Sequence, residues 1–178
     1  MRTFVAVFPP PEVRKALFRA ARDLPASKAF RLIGQEKLHL TLKFLGNVAE
    51  DDLIRVEQAL EPLRGRHEPF EIETSDFGAF PSARRARILW AGVGEGSGPL
   101  RAVAQSVDDL LEPAGFGRER PPYVPHLTLG RARGQGAKLD GASVYPPALR
   151  FSVSGVDLVE SVPGEGGVTY SVLEIYSF

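Results

Sequence analysis

The sequence contains no cysteine among its 178 residues. Disulfide bonds, thiolate metal sites and a cysteine nucleophile are therefore excluded. Its 22 basic and 22 acidic residues give a formal net charge of zero, so general attraction to polyanions does not explain its function, and any contact with nucleic acid must be local. No apolar run reaches the length of a membrane span, and no signal-like segment follows Met1. We expect a soluble cytoplasmic protein.

Histidine is also scarce, with three in the chain. Two of them occupy identical His-Leu-Thr-Leu tetrapeptides, at His39 to Leu42 and at His126 to Leu129. Side chains alternate between the two faces of a β-strand, so each copy would bury two leucines and expose an imidazole and a hydroxyl. A single strand histidine of this kind is often a surface residue without a catalytic function. The matched pair indicates chemistry.

Hydrophobic periodicity predicts strands alternating with helices. The predicted helices cover residues 11–24, 50–63 and 97–111. The predicted strands cover residues 3–8, 30–33, 37–44, 70–77, 88–93, 126–133, 149–160 and 168–176. Residues 134–147, rich in glycine and proline, are predicted to form a connection.

The two halves of the chain are similar beyond the tetrapeptides. A strand, a helix and a motif strand follow one another in both halves, and residues 70–76 align without gaps with residues 151–157. We therefore predict an α+β fold in a single domain, residues 1–178, built by internal duplication. Its two lobes would be related by a pseudo-twofold axis. Each lobe would be an antiparallel sheet with helices packed on its outer face, and the histidines would line the central cleft.

The residues around both tetrapeptides carry a family resemblance. The first stands in His39-Leu-Thr-Leu-Lys-Phe-Leu-Gly46, and the second in Pro125-His126-Leu-Thr-Leu-Gly-Arg131. With these flanks, the chain resembles the two-histidine (2H) phosphoesterase superfamily. Within it, the chain is similar to the RNA 2′,3′-cyclic phosphodiesterases, also called 2′-5′ RNA ligases. The resemblance extends over nearly the whole chain.

The chemistry of these residues fits that family. Opening a cyclic phosphodiester needs a base to activate water and an acid to protonate the leaving oxygen, and two imidazoles can do both near neutral pH. Thr41 and Thr128 can donate hydrogen bonds to the phosphate, and Arg131 can neutralise its charge. The resemblance implies that His39 is the proton donor, that His126 is the proton acceptor, and that the product is a 2′-phosphate. The residues alone leave these two roles open.

Two alternatives remain from the sequence. The protein could be an RNA-end binding module without turnover, or a divalent-metal hydrolase in which His39 and His126 act with Asp or Glu ligands. The absence of a His-x-x-x-His pattern disfavours the metal hydrolase. We expect no metal and no cofactor. The expected partner is RNA with 2′,3′-cyclic phosphate ends, with no membrane, no obligate protein partner and a monomeric state.

Five further features have ordinary interpretations. Lys43 is predicted to face solvent, although it could touch phosphate. His67 is predicted to be solvated and inert, and Trp90 to belong to the core. The basic stretch at residues 84–87 is either a solvated hairpin tip or a guide for RNA. Tyr123 precedes the second motif, so it lies either in the cleft or outside it.

Overall fold

The computed structural model of the chain describes residues 1–139, 146–165 and 167–178. These residues form three α-helices and nine β-strands. The helices are α1 (Pro11–Arg22), α2 (Glu50–Leu60) and α3 (Ser97–Leu111). The strands are β1 (Arg2–Val7), β2 (Phe30–Leu32), β3 (Leu40–Asn47), β4 (Phe70–Phe80), β5 (Ile88–Val93), β6 (His126–Ala132), β7 (Arg150–Val153), β8 (Gly155–Gly164) and β9 (Gly167–Ser177). Within the described ranges, no helix has the length and apolar character needed to cross a membrane.

The strands form an antiparallel sheet in the order β7-β4-β5-β6-β3-β1-β8-β9, and β2 pairs with the far part of β6. At its centre the motif strands β3 and β6 meet through the pair Leu40 and Leu127. Both residues are the second of their tetrapeptide, so a local pseudo-twofold axis passes through this pair. One lobe contains β3, β1, β8 and β9, and the other contains β6, β5, β4 and β7. The α+β architecture is therefore confirmed, whereas the internal duplication stays a prediction.

The predicted strand at residues 149–160 is wrong in one respect, because it is two strands. β7 pairs with β4 in one lobe, and β8 pairs with β1 in the other. The chain crosses between lobes at Ser154 and Gly155. A Cβ on Gly155 would lie 2.7 Å from the carbonyl oxygen of Tyr176, so only glycine allows this close approach of two backbones. The lobe of β1 thus contains strands from both ends of the chain, and the other lobe is formed by the middle of the chain.

Each long helix packs against the motif strand of the other half. Helix α1 contacts β2 and β6, whereas α3 contacts β3 and also α2. The leucines of both motifs and the apolar faces of both helices belong to one hydrophobic core. The buried helix residues are Val13, Leu17 and Ala21 in α1, and Leu100, Val103, Ala104, Val107 and Leu111 in α3. The helices therefore cover the leucine face of the sheet and leave the histidine face open.

The remaining predicted elements are present with shifted ends. Helix α2 stops at Leu60, and a 3-10 turn follows, because Pro62 has no N–H to continue the α-helical pattern. A 3-10 turn at Gln35–Lys37 delays the start of the first motif strand to Leu40. Part of the predicted connection, residues 140–145, lies outside the described residues.

Candidate active site

The two motif histidines are held in the same way. His39 immediately precedes β3, and His126 is the first residue of β6. The Nδ1–H of His39 donates to the carbonyl oxygen of Lys37 at 2.7 Å, and the Nδ1–H of His126 donates to that of Val124 at 2.7 Å. A carbonyl oxygen only accepts hydrogen bonds. Each neutral imidazole therefore carries its proton on Nδ1 and keeps Nε2 free to accept another.

The structure brings the predicted site residues together on the open face of the sheet. His39, Thr41, Thr128 and Arg131 line one cleft of about 470 Å³. His126 lies beside this cleft rather than in its lining. A positive charge on His126 lowers the pKa of His39, so the two imidazoles are close enough to interact electrostatically.

His39 lies in an aromatic environment. Its ring centroid is 4.9 Å from that of Phe4, 5.3 Å from that of Phe8 and 5.2 Å from that of Tyr170, which it meets at 90°. Burial lowers the pKa of His39, its hydrogen bond to the main-chain carbonyl acts in the opposite sense, and the charge of His126 lowers the pKa further. These surroundings therefore favour the neutral form of this imidazole.

His126 is flanked by two different aromatic rings. The ring of Phe80 meets it edge-on at 5.0 Å, and the indole of Trp90 lies 6.4 Å away. A Cβ on Gly78 would clash with this indole, so the Trp90 ring lies directly against the backbone of the neighbouring strand. Trp90 is half-buried rather than enclosed in the core, which corrects the sequence prediction. Its ring supports the second histidine.

Both motif strands contain a β-bulge at the second leucine of the tetrapeptide. The register skips Leu42 along β1 and Leu129 along β5. A bulge changes the alternation of faces, so Lys43 is 3% exposed and points to the leucine side. It forms an ion pair with Asp108 and donates to the carbonyl oxygen of Gly117 at 2.6 Å. The prediction that Lys43 faces solvent is therefore wrong, and Lys43 has no contact with the cleft.

The same bulges bring Phe44 and Arg131 to the cleft. Uninterrupted alternation would place both on the leucine face, and for this reason sequence reasoning missed Phe44. Phe44 is 62% exposed and lines the cleft. Tyr170 also lines the cleft. Sequence reasoning missed it because no motif marks its predicted strand. The two halves thus present an aromatic ring and a guanidinium from equivalent positions.

Two other candidates lie outside the cleft. His67 is half-buried, and its Nε2 is 3.0 Å from the hydroxyl oxygen of Ser106, so the prediction that it is solvated is wrong. Tyr123 does not line the cleft, and its buried hydroxyl has no partner among the described residues. Burial raises the pKa of this phenol. Neither side chain joins the motif residues.

A family model described as the 2′-5′ RNA ligase superfamily matches residues 9–165. This match includes both motif strands and most of the chain. The chain belongs to the 2′-5′ RNA ligase superfamily. The family resemblance noted in the sequence is confirmed.

Relatives within the 2′-5′ RNA ligase superfamily are similar over the whole chain. An RNA 2′,3′-cyclic phosphodiesterase of Methanothermobacter thermautotrophicus is 35% identical, covering 99% of this chain and 98% of the relative. One of Thermus thermophilus is 32% identical, covering 99% and 90%. A crystal structure of a Thermus thermophilus protein is 30% identical with a TM-score of 0.81, covering 99% of this chain and 97% of that one. E. coli LigT complexed with 3′-AMP, at 23% identity, 99% and 97% coverage and a TM-score of 0.85, shares the fold.

The Lys43–Asp108 pair gives a stability prediction for this superfamily member. Asp108→Ala leaves a buried ammonium without its partner, so we expect the free energy of unfolding to fall by about 3 kcal/mol. Lys43→Met combined with Asp108→Ala should recover part of that loss. In the matched surface pair of Arg55 and Asp52, Asp52→Ala should cost less than about 1 kcal/mol. Urea unfolding of the wild type and the three variants gives these free energies. Equal losses for Asp108→Ala and Asp52→Ala would contradict a buried ion pair at Lys43.

The environment of His39 gives a titration prediction. In NMR pH titrations of the free protein, its midpoint should lie below the ordinary value of 6.5. His126→Gln removes a like charge and should raise that midpoint, whereas His67→Gln should leave it unchanged. Because folded His39 binds its proton less tightly than the unfolded chain, its contribution to stability is lost as the pH falls below 6.5. A midpoint at or above 6.5 would contradict the effect of burial.

Proposed function

We propose that this protein hydrolyses the 2′,3′-cyclic phosphate ends of RNA to 2′-phosphates by a metal-independent two-histidine mechanism. The observation that carries the proposal is the matched anchoring of His39 and His126, each with Nδ1–H bound to a main-chain carbonyl and Nε2 free. The names of the relatives, RNA 2′,3′-cyclic phosphodiesterase, support the same substrate class.

The reaction divides between the two imidazoles. Nε2 of neutral His126 takes a proton from water, whose oxygen attacks phosphorus. The bond from phosphorus to O3′ breaks, and O3′ takes the proton from Nε2 of protonated His39, while the bond to O2′ is retained. The product is a 2′-phosphate with a free 3′-hydroxyl. Proton exchange with solvent then restores both histidines.

The donor role of His39 depends on bound substrate. Burial favours its neutral form in the free protein, whereas a donor must be protonated. The negative charge of the cyclic phosphate acts in the opposite direction and favours the imidazolium. An imidazolium with an intrinsically low pKa is also the stronger acid toward the leaving oxygen. Substrate binding and acid catalysis would therefore be coupled through His39.

The phosphate itself would be held by the side chains between the histidines. Thr41 and Thr128 each lie two residues beyond a motif histidine on the cleft face, where their hydroxyls can donate to the non-bridging oxygens. Arg131 adds a positive charge in the same cleft. These donors would stabilise the charge that builds up as the fifth oxygen approaches phosphorus.

The same groups would support ligation. If the 5′-hydroxyl of a second RNA strand takes the place of water, His126 accepts its proton and His39 again protonates O3′. The new phosphodiester then joins O2′ to the 5′-oxygen. Whether water or a hydroxyl is used depends on which nucleophile occupies the side of the phosphorus facing His126.

The cytoplasmic location and monomeric state also stay predictions.

One experiment separates this proposal from its alternatives. An oligonucleotide ending in a 2′,3′-cyclic phosphate is incubated with the protein in EDTA, and the position of the product phosphate is determined. An RNA-end binding module would retain the oligonucleotide without turnover, and a metal hydrolase would stop in EDTA. Among the described residues, no three side chains of the metal-ligating types lie close enough together to hold a metal ion.

We predict that His39→Ala and His126→Ala each lower kcat/KM by about 10²- to 10⁴-fold with little change in thermal unfolding. The two roles can be separated with a substrate carrying sulfur in place of O3′, because a thiolate leaves without a proton. This substrate should largely restore activity to His39→Ala but not to His126→Ala. The reverse pattern would exchange the two roles, and loss of folding in both variants would contradict a cleft position.

We predict that Thr41→Ala and Thr128→Ala raise the activation free energy by about 2 to 4 kcal/mol each, as expected for loss of one donor to the developing charge. Thr→Ser at the same positions keeps the hydroxyl and is the matched control, so its kcat should stay near that of the wild type. An unchanged rate in either alanine variant would remove that threonine from the mechanism.

A further inference from the structure

A second concavity adjoins the cleft on the side of Arg131. It has a volume of about 530 Å³, and its lining includes Arg87, Arg131 and Arg133 together with Gly134 and Gln135. Arg131 lines both this concavity and the cleft. The two spaces are therefore neighbours that share one lining residue.

A fourth arginine joins the group through strand pairing. Arg31 on β2 lies directly opposite Arg131 on β6. The backbones of the other two are adjacent: the amide N–H of Ala132 donates to the carbonyl oxygen of Arg87 at 2.8 Å, next to Arg133. All four residues are exposed. We call Arg31, Arg87, Arg131 and Arg133 the arginine groove.

Within the described part of the chain, the charges of the arginine groove are not neutralised by acidic side chains. Among the described residues, none of the four guanidiniums has a carboxylate within 4.0 Å or donates a side-chain hydrogen bond, whereas Arg55, Arg64 and Arg150 each pair with at least one acidic side chain. Like charges directly opposite on paired strands are destabilising. In a chain of zero net charge, these four side chains are a local concentration of positive charge.

We infer that the arginine groove binds the backbone phosphates of the RNA strand that precedes the cyclic end. The inference rests on the proposed function, because the terminal phosphate would lie in the cleft and the strand would continue past Arg131. Because Arg131 lines both spaces, a strand that is continuous with the substrate is favoured over a separate acidic protein. Phosphate contacts do not read base sequence. The groove therefore selects for oligonucleotide over mononucleotide without a preferred sequence.

The test compares two substrates, adenosine 2′,3′-cyclic phosphate and an oligoadenylate with the same cyclic end. At low salt the wild-type protein should have a kcat/KM at least about tenfold higher for the oligoadenylate, mainly through KM. Arg87→Gln with Arg133→Gln should remove most of this advantage and leave hydrolysis of the mononucleotide within about twofold. Arg22→Gln with Arg55→Gln is the matched control, because it removes the same charge from exposed ion pairs elsewhere.

Salt dependence provides a second readout that a merely structural effect would not change. Loss of two phosphate contacts should flatten the slope of log kcat/KM against log salt by about 1.4 for a single strand. The defect of the groove variant should therefore shrink about sevenfold as salt rises about fourfold. The mononucleotide should show no such difference between variant and wild type.

A binding measurement distinguishes failure of this inference from failure of the proposed function. A fluorescent oligoadenylate ending in a 2′-phosphate should bind the wild type more tightly than the groove variant, whether or not the protein turns over. If neither substrate is hydrolysed but the wild type still binds the oligoadenylate more tightly than the groove variant, the inference is supported and the proposed function is contradicted. The inference would be overturned by equal kcat/KM for the two substrates or by equal defects in the groove and control variants. It would also be overturned if polyglutamate displaced the fluorescent oligoadenylate as well as an unlabelled oligoadenylate does.

Discussion

The pairing of Leu40 with Leu127 is the contact on which the site depends. It joins the two motif strands at identical positions of their tetrapeptides, and both side chains are fully buried. Because alternate residues of a strand face opposite ways, burying these leucines turns the imidazoles and hydroxyls of both copies to the same open face. The hydrophobic effect on one side of the sheet thereby fixes the chemistry on the other.

The two matched bulges place different side chains at equivalent positions of the two motif strands. After the bulge, one strand places Lys43 in the interior and Phe44 in the cleft, whereas the other places Gly130 and Arg131 at the equivalent positions. The interior lysine ties its strand to α3 through Asp108. A symmetric backbone therefore carries different side chains at equivalent positions of the cleft, an aromatic ring on one motif strand and a guanidinium on the other.

The sequence was sufficient to place the motif histidines and threonines on one face of the sheet, because strand alternation and a repeated tetrapeptide need only local information. It was insufficient wherever the alternation broke. Lys43 was assigned to solvent and Phe44 was overlooked, since a bulge depends on how two strands pair and leaves no mark in the run of residues. The division of residues 149–160 into β7 and β8 also depends on strand pairing. One part of this extended segment pairs in each lobe, and Gly155 permits the crossing between them.

An acid and a base cannot have identical surroundings if each is to hold the right protonation state. For the proposed acid and base, the surroundings differ in their aromatic contacts: three rings surround His39, and burial lowers its pKa, whereas His126 lies against Phe80 and Trp90. A buried imidazole responds strongly to an arriving anion, because its charged form gains most from a partner in a low dielectric. A phosphate in the cleft would thus act first on His39, and its binding would make the two histidines, which the paired motif strands hold in the same way, differ in protonation.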